Sequence, residues 1–263
     1  MAHKLTALLG VRCPRTAFAR LGNKTLRFKP IRNQIGAGAP HSKESEMDIR
    51  DQFFGDLPAD RWPEQSSIKE VFGEPWESFV KSREFSTGGD NERAKQCLHE
   101  ILLMNHLESR HYLQAWNFLR ALGEHPPADE AKHLYGVVIE VALDEGVDVV
   151  AAYEDHTARY INYSGAGVVW EHPSDSLDEL IDDLLNEGRR IVERIGPWEG
   201  PRPPSPPSGQ ARISMLVPLG LHFGQASYEI LSRDQTGGPV LNAGFKLMQG
   251  LTEATVSADK LPR

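Results

Sequence analysis

The residue types able to do chemistry are spread along this chain, and most fail on spacing. His99, Glu100, His106, Glu108 and His111 fall close together. A zinc-protease pair needs two histidines one helical turn apart with further ligands converging on them. His99 and His106 stand seven positions apart and bring no such partners, so neither a metal site nor a cofactor is expected. Cys97 lies on an apolar stripe, where a thiol is buried and inert rather than nucleophilic. No G-x-S-x-G elbow occurs. Ser164 precedes Gly165-Ala166-Gly167, but this run leads into a strand. Phosphate loops lead into a helix, whose first N–H groups hold the anion.

One constellation remains. Arg159, Tyr160, Asn162, Trp170, Glu171 and His172 fall on neighbouring strands, and His222 on a later pair. Tyr160 and Asn162 share one strand face, because side chains alternate. A pairing that sets Trp170 or His222 beside them would make a polar pocket with aromatic walls, the form small-ligand sites take. The candidate ligand-binding residues are therefore Arg159, Tyr160, Asn162, Trp170 and His222. The competing reading is a half-exposed sheet face with its polar side chains turned to water. No residue is assigned a catalytic role.

The elements that must position them are legible from periodicity. Ala94, Cys97, Leu98, Ile101 and Leu102 make one helical stripe, and Tyr112, Ala115, Trp116, Leu119 and Leu122 another. Asp90 suits an N-cap, and Gly123 with Pro126-Pro127 stops the second helix. A short helix is expected over 128–133. Four strands follow: 137–143, 147–153, 158–163 and 168–171. Asp144-Glu145-Gly146 and Ser164-Gly165-Ala166-Gly167 supply turns. Ser176 with Glu179 reads as a capping box for a long helix that keeps one face apolar as far as Ile195. Two more strands are expected over 213–217 and 219–226. A last helix starts at Gly238-Pro239.

The fold class is therefore α+β: a central antiparallel sheet, a four-strand meander plus two later strands, flanked by helices. In element order alone this resembles the profilin-like and roadblock-like architectures. That resemblance implies helices on the sheet faces and carries no function.

Charge divides the chain. Residues 1–46 hold nine Lys or Arg against Glu44 and Glu46, whereas the whole chain carries −8. The body from 47 onward is thus at −15, which argues against nucleic acid as a partner. Residues 1–46 form a basic extension with three readings: a stretch upstream of a true start at Met47, a transit segment, or an anion-binding arm. Residues 47–90 read as an irregular lead-in anchored by Phe53, Phe54, Trp62, Phe72, Trp76 and Phe79. A single α+β domain over 91–254 and a polar tail over 255–263 complete the division. Between 197 and 207, six prolines in eleven positions make a stiff connection. Two cysteines cannot make a disulfide framework, and no apolar run spans a membrane, so a cytoplasmic location is expected. Because packing signals dominate, the expected function is a non-catalytic interaction or regulatory module that binds a protein partner or itself. The alternative is a small-molecule-binding protein or enzyme using the sheet-face pocket.

Overall fold

The computed structural model describes residues 49–62, 73–171 and 175–259. Six antiparallel strands form one sheet: β1 (Gly136–Ala142), β2 (Val147–Tyr153), β3 (Ala158–Ile161), β4 (Gly167–Trp170), β5 (Gln210–Val217) and β6 (Gly220–Ser227). Their spatial order is β4-β3-β2-β1-β5-β6. The meander thus runs outward from β1, and the later hairpin adds to the free side of β1. The α+β expectation holds.

Alternation sorts the strand residues onto two faces. One carries Val137, Ile139, Val150, Ile213 and Met215, all buried. Two long helices cover it, α5 (Asp175–Val192) and α7 (Gly237–Asp259). Their apolar stripes supply Ile181, Leu184, Leu185, Val240, Leu247 and Leu251. Close approach needs glycine: a Cβ at Gly188 would lie 2.5 Å from Val137 Cγ2. This explains why a glycine interrupts an otherwise aliphatic stripe. The side chain of Ser176 lies outside the described structure, so the capping box does too.

The opposite face meets α1 (Asp51–Phe54) and α4 (Ser109–Ala121), and a 3₁₀ turn at Ala59–Arg61 follows α1 in the chain. Behind them α2 (Trp76–Thr87) and α3 (Asn91–Leu102) pack with α4 around Trp62, Phe79, Leu98, Ile101 and Trp116. The aromatic lead-in is therefore core, as Phe53, Phe54, Trp62 and Phe79 are buried. Phe72 lies outside the described residues. Asp90 caps α3 by accepting from the Arg93 N–H at 3.2 Å.

Two expectations need correction, and one element was not expected. The segment read as irregular contains the twelve-residue helix α2. Its buried side includes Ser78 and Ser82, which erase the apolar period; Ser82 Oγ is satisfied by donating to Ala94 O at 2.9 Å. The short helix over 128–133 is a single turn, closed by Ala131 N–H to Pro127 O at 2.9 Å. Ala131 O is then taken by the Leu219 N–H, which ties the turn to the β5–β6 hairpin. A further helix, α6 (Tyr228–Arg233), follows β6 directly.

Candidate functional site

The second sheet face is where charge is concentrated. Glu140 stands in the middle of β1 and is completely buried. Its register partner on β5 is Arg212, also buried. Arg50, just before α1, comes down from above. Arg50 Nε donates to Glu140 Oε1 at 2.6 Å, and Arg212 Nη1 to Oε2 at 3.3 Å. A buried carboxylate is tolerable only when paired and hydrogen-bonded, and here two guanidiniums share one. Arg212 also forks onto Gln225 Oε1 through Nε and Nη2, at 2.9 and 2.6 Å. Burial pulls its guanidinium below the usual arginine range despite Glu140, with Arg50 adding to the fall.

The proline-rich connection is a strap over this face. Pro203 O accepts from Arg50 Nη2 at 3.1 Å and from Arg212 Nη1 at 3.4 Å. Arg202 reaches Asp56 through Nε at 2.7 Å and Asp51 through Nη2. Asp51 also accepts from Arg61 Nη1 at 2.8 Å. The guanidinium carbons of Arg50 and Arg202 lie over the Phe54 ring, 5.7 and 4.5 Å from its centroid. Burial opposes the Arg202 charge, yet Asp56 and Asp51 hold it above its ordinary pKa.

Between the strap, α4 and the β5–β6 turn runs an open cleft of about 950 Å³. Four arginines line it, Arg50, Arg61, Arg120 and Arg202, against three carboxylates, Asp51, Asp56 and Glu199. Arg120 differs from the others. Its guanidinium donates to Pro218 O and, at 3.1 Å, to Asn117 Oδ1, both neutral, and it makes no ion pair among the described residues. Burial lowers its pKa, with Asp56 opposing from a distance. Trp198, half exposed, stands on the strap side of the cleft and packs on Phe223 with ring centroids 5.3 Å apart.

The five residues singled out from sequence do not converge. Arg159 is on the charged face, buried, donating to Gln52 O at 3.5 Å beside Arg110, which donates to the same oxygen at 2.8 Å. The two arginines anchor the carbonyls of α1 from below, and Tyr153 does likewise by donating to Phe53 O at 2.7 Å. Tyr160 and Trp170 share the opposite face, where β3 pairs with β4. Tyr160 donates its hydroxyl to Asp148 Oδ2 at 3.1 Å. The void beside it is only about 50 Å³, room for water rather than a metabolite. Burial raises the Asp148 pKa against the Tyr163 N–H and Tyr160 hydroxyl it accepts. Asn162 shapes the β3–β4 turn, its Oδ1 accepting from Ser164 N–H, Ser164 Oγ and Ala166 N–H. His222 lies on β6, four strand steps from β3, roughly 19 Å at sheet spacing. There it is fully buried, with Nδ1 3.0 Å from Gly220 O. His172 lies outside the described residues.

Other chemistry-bearing side chains are also occupied structurally. His99 pairs with Glu124 at 2.6 Å, and burial, with Glu100 adding, raises the Cys97 thiol pKa. Among the described residues, no group of three His, Cys, Asp or Glu side chains is placed to hold a metal. None of their helices is long and apolar enough to cross a membrane.

Sequence reasoning missed Glu140, Arg212, Arg50, Arg120 and Arg202. The signal was present for two of them: an acid inside GVVIEVA and a base inside QARISMLV, each in an otherwise apolar strand. No protein-family model matches the chain, and neither a curated protein nor a solved structure matches it.

Proposed function

We propose that this chain is a non-catalytic interaction module of the cytoplasm whose cleft receives an acidic segment of a protein partner. The observation that carries this reading is Arg120: a part-buried cation in the wall of an open cleft, held by neutral acceptors and without an ion pair among the described residues. A carboxylate from a partner would supply the missing countercharge in a geometry that arginine favours. Trp198 beside it offers an aromatic anchor of the kind found at interface hot spots. The surplus of arginine in this cleft contrasts with the −8 of the whole chain, so an acidic segment is steered here rather than elsewhere. The same overall charge disfavours nucleic acid as the partner. The low cysteine content, with Cys97 free and buried, supports a reducing compartment.

The test is site-specific photocrosslinking in the native host. A photoreactive phenylalanine analogue replaces Trp198 in one variant and the exposed Asp183 of α5 in another. The expected result is a partner captured at 198 and not at 183, through a peptide rich in Asp and Glu, with capture lost on Arg120→Ala. Equal capture at both positions, or capture indifferent to Arg120→Ala, overturns the reading.

A further inference from the structure

The sheet ends in two edges, and β6 is the unusual one. Along an antiparallel strand, alternate residues aim both backbone groups to the same side. Two bonds fix the parity here. Leu221 O points outward and accepts from the Trp198 N–H of the strap at 2.7 Å, while Tyr228 N–H points inward to Gly209 O at 3.0 Å. Phe223 and Gln225 therefore direct their N–H and C=O groups outward, and among the described residues nothing pairs with them.

Natural edges are blunted by brevity, charge, proline or a bulge. β6 has eight residues, GLHFGQAS, with no charged residue and no proline, in a chain that is one-quarter charged. Its register with β5 is unbroken from Gly220 to Ser227, so no bulge bends it away. The strap residue Trp198 shows that the edge accepts an extended backbone, and it occupies only the Leu221 end.

We propose that β6 pairs antiparallel with β6 of a second copy of this chain, about a two-fold axis at Gly224, giving a continuous twelve-stranded sheet. With Gly224 opposite itself, Phe223 faces Gln225 of the second copy and Gln225 faces its Phe223. Each such pair exchanges two N–H···O bonds, four in all, and Ser227 of each copy comes opposite Leu221 of the other, so the Trp198 bond to Leu221 is given up on pairing. Gly224 forms the close, non-hydrogen-bonded pair, in which Cα atoms stand about 4.5 Å apart. That position has no side chain, and a Cβ built there meets nothing within 4 Å. Neutral residues along the strand mean that two copies meet without like-charge repulsion, which a −8 chain would otherwise suffer. Exposed Trp198 and Ile230 flank the edge and add apolar area beyond the backbone bonds. Trp198 lines the cleft and also flanks this edge, so the pairing is tested at Gly224, which does not line the cleft.

The test is sedimentation velocity on the full chain over a concentration series, with Gly224→Asp, Gly224→Lys and their equimolar mixture. The wild-type chain is expected as a dimer. Each variant alone sets like charges across the axis and should weaken association by about tenfold or more. The mixture, with opposite charges facing, should recover the dimer. A wild-type chain that sediments as a monomer throughout overturns the proposal, as does a Gly224→Asp chain that dimerises like wild type. A mixture that stays monomeric overturns the axis at Gly224.

Discussion

The two faces of the sheet are built from the same strands by different physics. Beneath α5 and α7 the face is aliphatic, and its contacts with Leu184, Leu185 and Leu247 gain from area removed from water with little demand on direction. On the other face Glu140, Arg50, Arg212 and the strap meet through directed, charge-assisted bonds. The first face would tolerate many shapes of similar volume; the second admits one arrangement of partners. A charge network of this kind is weak evidence for stability, since desolvation offsets much of the attraction. What it does specify is where α1 and the strap sit, and those two elements frame the cleft. The aliphatic face thus holds the sheet, whereas the charged face positions the candidate site.

Removal of the shared carboxylate should have the largest effect. Glu140→Ala leaves Arg50 and Arg212 without their countercharge beside a buried strand, and should cost about 3–5 kcal/mol. Replacing all three, Glu140→Leu with Arg50→Met and Arg212→Met, should recover most of that loss, because the penalty lies in unpaired charge rather than in absent attraction. Urea denaturation of the two variants reads both effects. Recovery of stability should not restore the strap, since Pro203 O would lose both donors. Trp198 fluorescence, combined with acrylamide quenching, should therefore report greater exposure in the triple variant than in wild type. If Glu140→Ala costs under 1 kcal/mol, water reaches the network and the distinction between the faces fails.

On the aliphatic side, Leu184→Ala should cost about 3 kcal/mol, a lost transfer term plus a cavity beneath α5. The quenching of Trp198 should stay at its wild-type value, since the cavity opens on the far side of the sheet. A change in Trp198 exposure with Leu184→Ala would show that the faces communicate, and that division of labour is too simple.

How much of this could be read from residues alone follows from the same contrast. The aliphatic face was legible because its signal is periodic: Leu177, Leu180, Ile181, Leu184 and Leu185 announce a helix without knowledge of what it covers. The hairpins of the meander were legible because their turns are local. The charged face was not, because its meaning lies in pairing. Glu140 becomes interpretable only when β5 places Arg212 opposite it and the strap brings Pro203 down. Adjacency in sequence also misled. Arg159 and Tyr160 are neighbours in the chain and therefore point to opposite faces, while His222 sits at the far side of the sheet. The helix α2 was hidden by serines on its buried side, and α6 by its brevity and by the exposure of Ile230.

The smallest predicted effect sets one buried against one exposed histidine. His222 is enclosed in the sheet, and burial lowers its pKa from the ordinary 6.5, with the Gly220 carbonyl opposing. Its neutral form is the native one, so its contribution is present above pH 6.5 and is lost as pH falls through the lowered value. His133 is half exposed and its Nε2 lies 2.7 Å from Glu154 Oε2. The hydrogen bond to Glu154 raises its pKa above 6.5, against burial. Its contribution is therefore complete below pH 6.5 and disappears as pH rises through the raised value. Exposure keeps this second effect to about 0.5 kcal/mol, as for surface pairs generally. Together they put a shallow maximum near pH 6.5 into the stability profile. His222→Phe should flatten the acid limb of that profile and leave the other limb unchanged; His133→Ala should do the reverse. Thermal unfolding across this range separates them. An acid limb that persists in His222→Phe would assign the remaining loss to His111 of α4, whose pKa burial also lowers, so that its contribution too is lost as pH falls below 6.5.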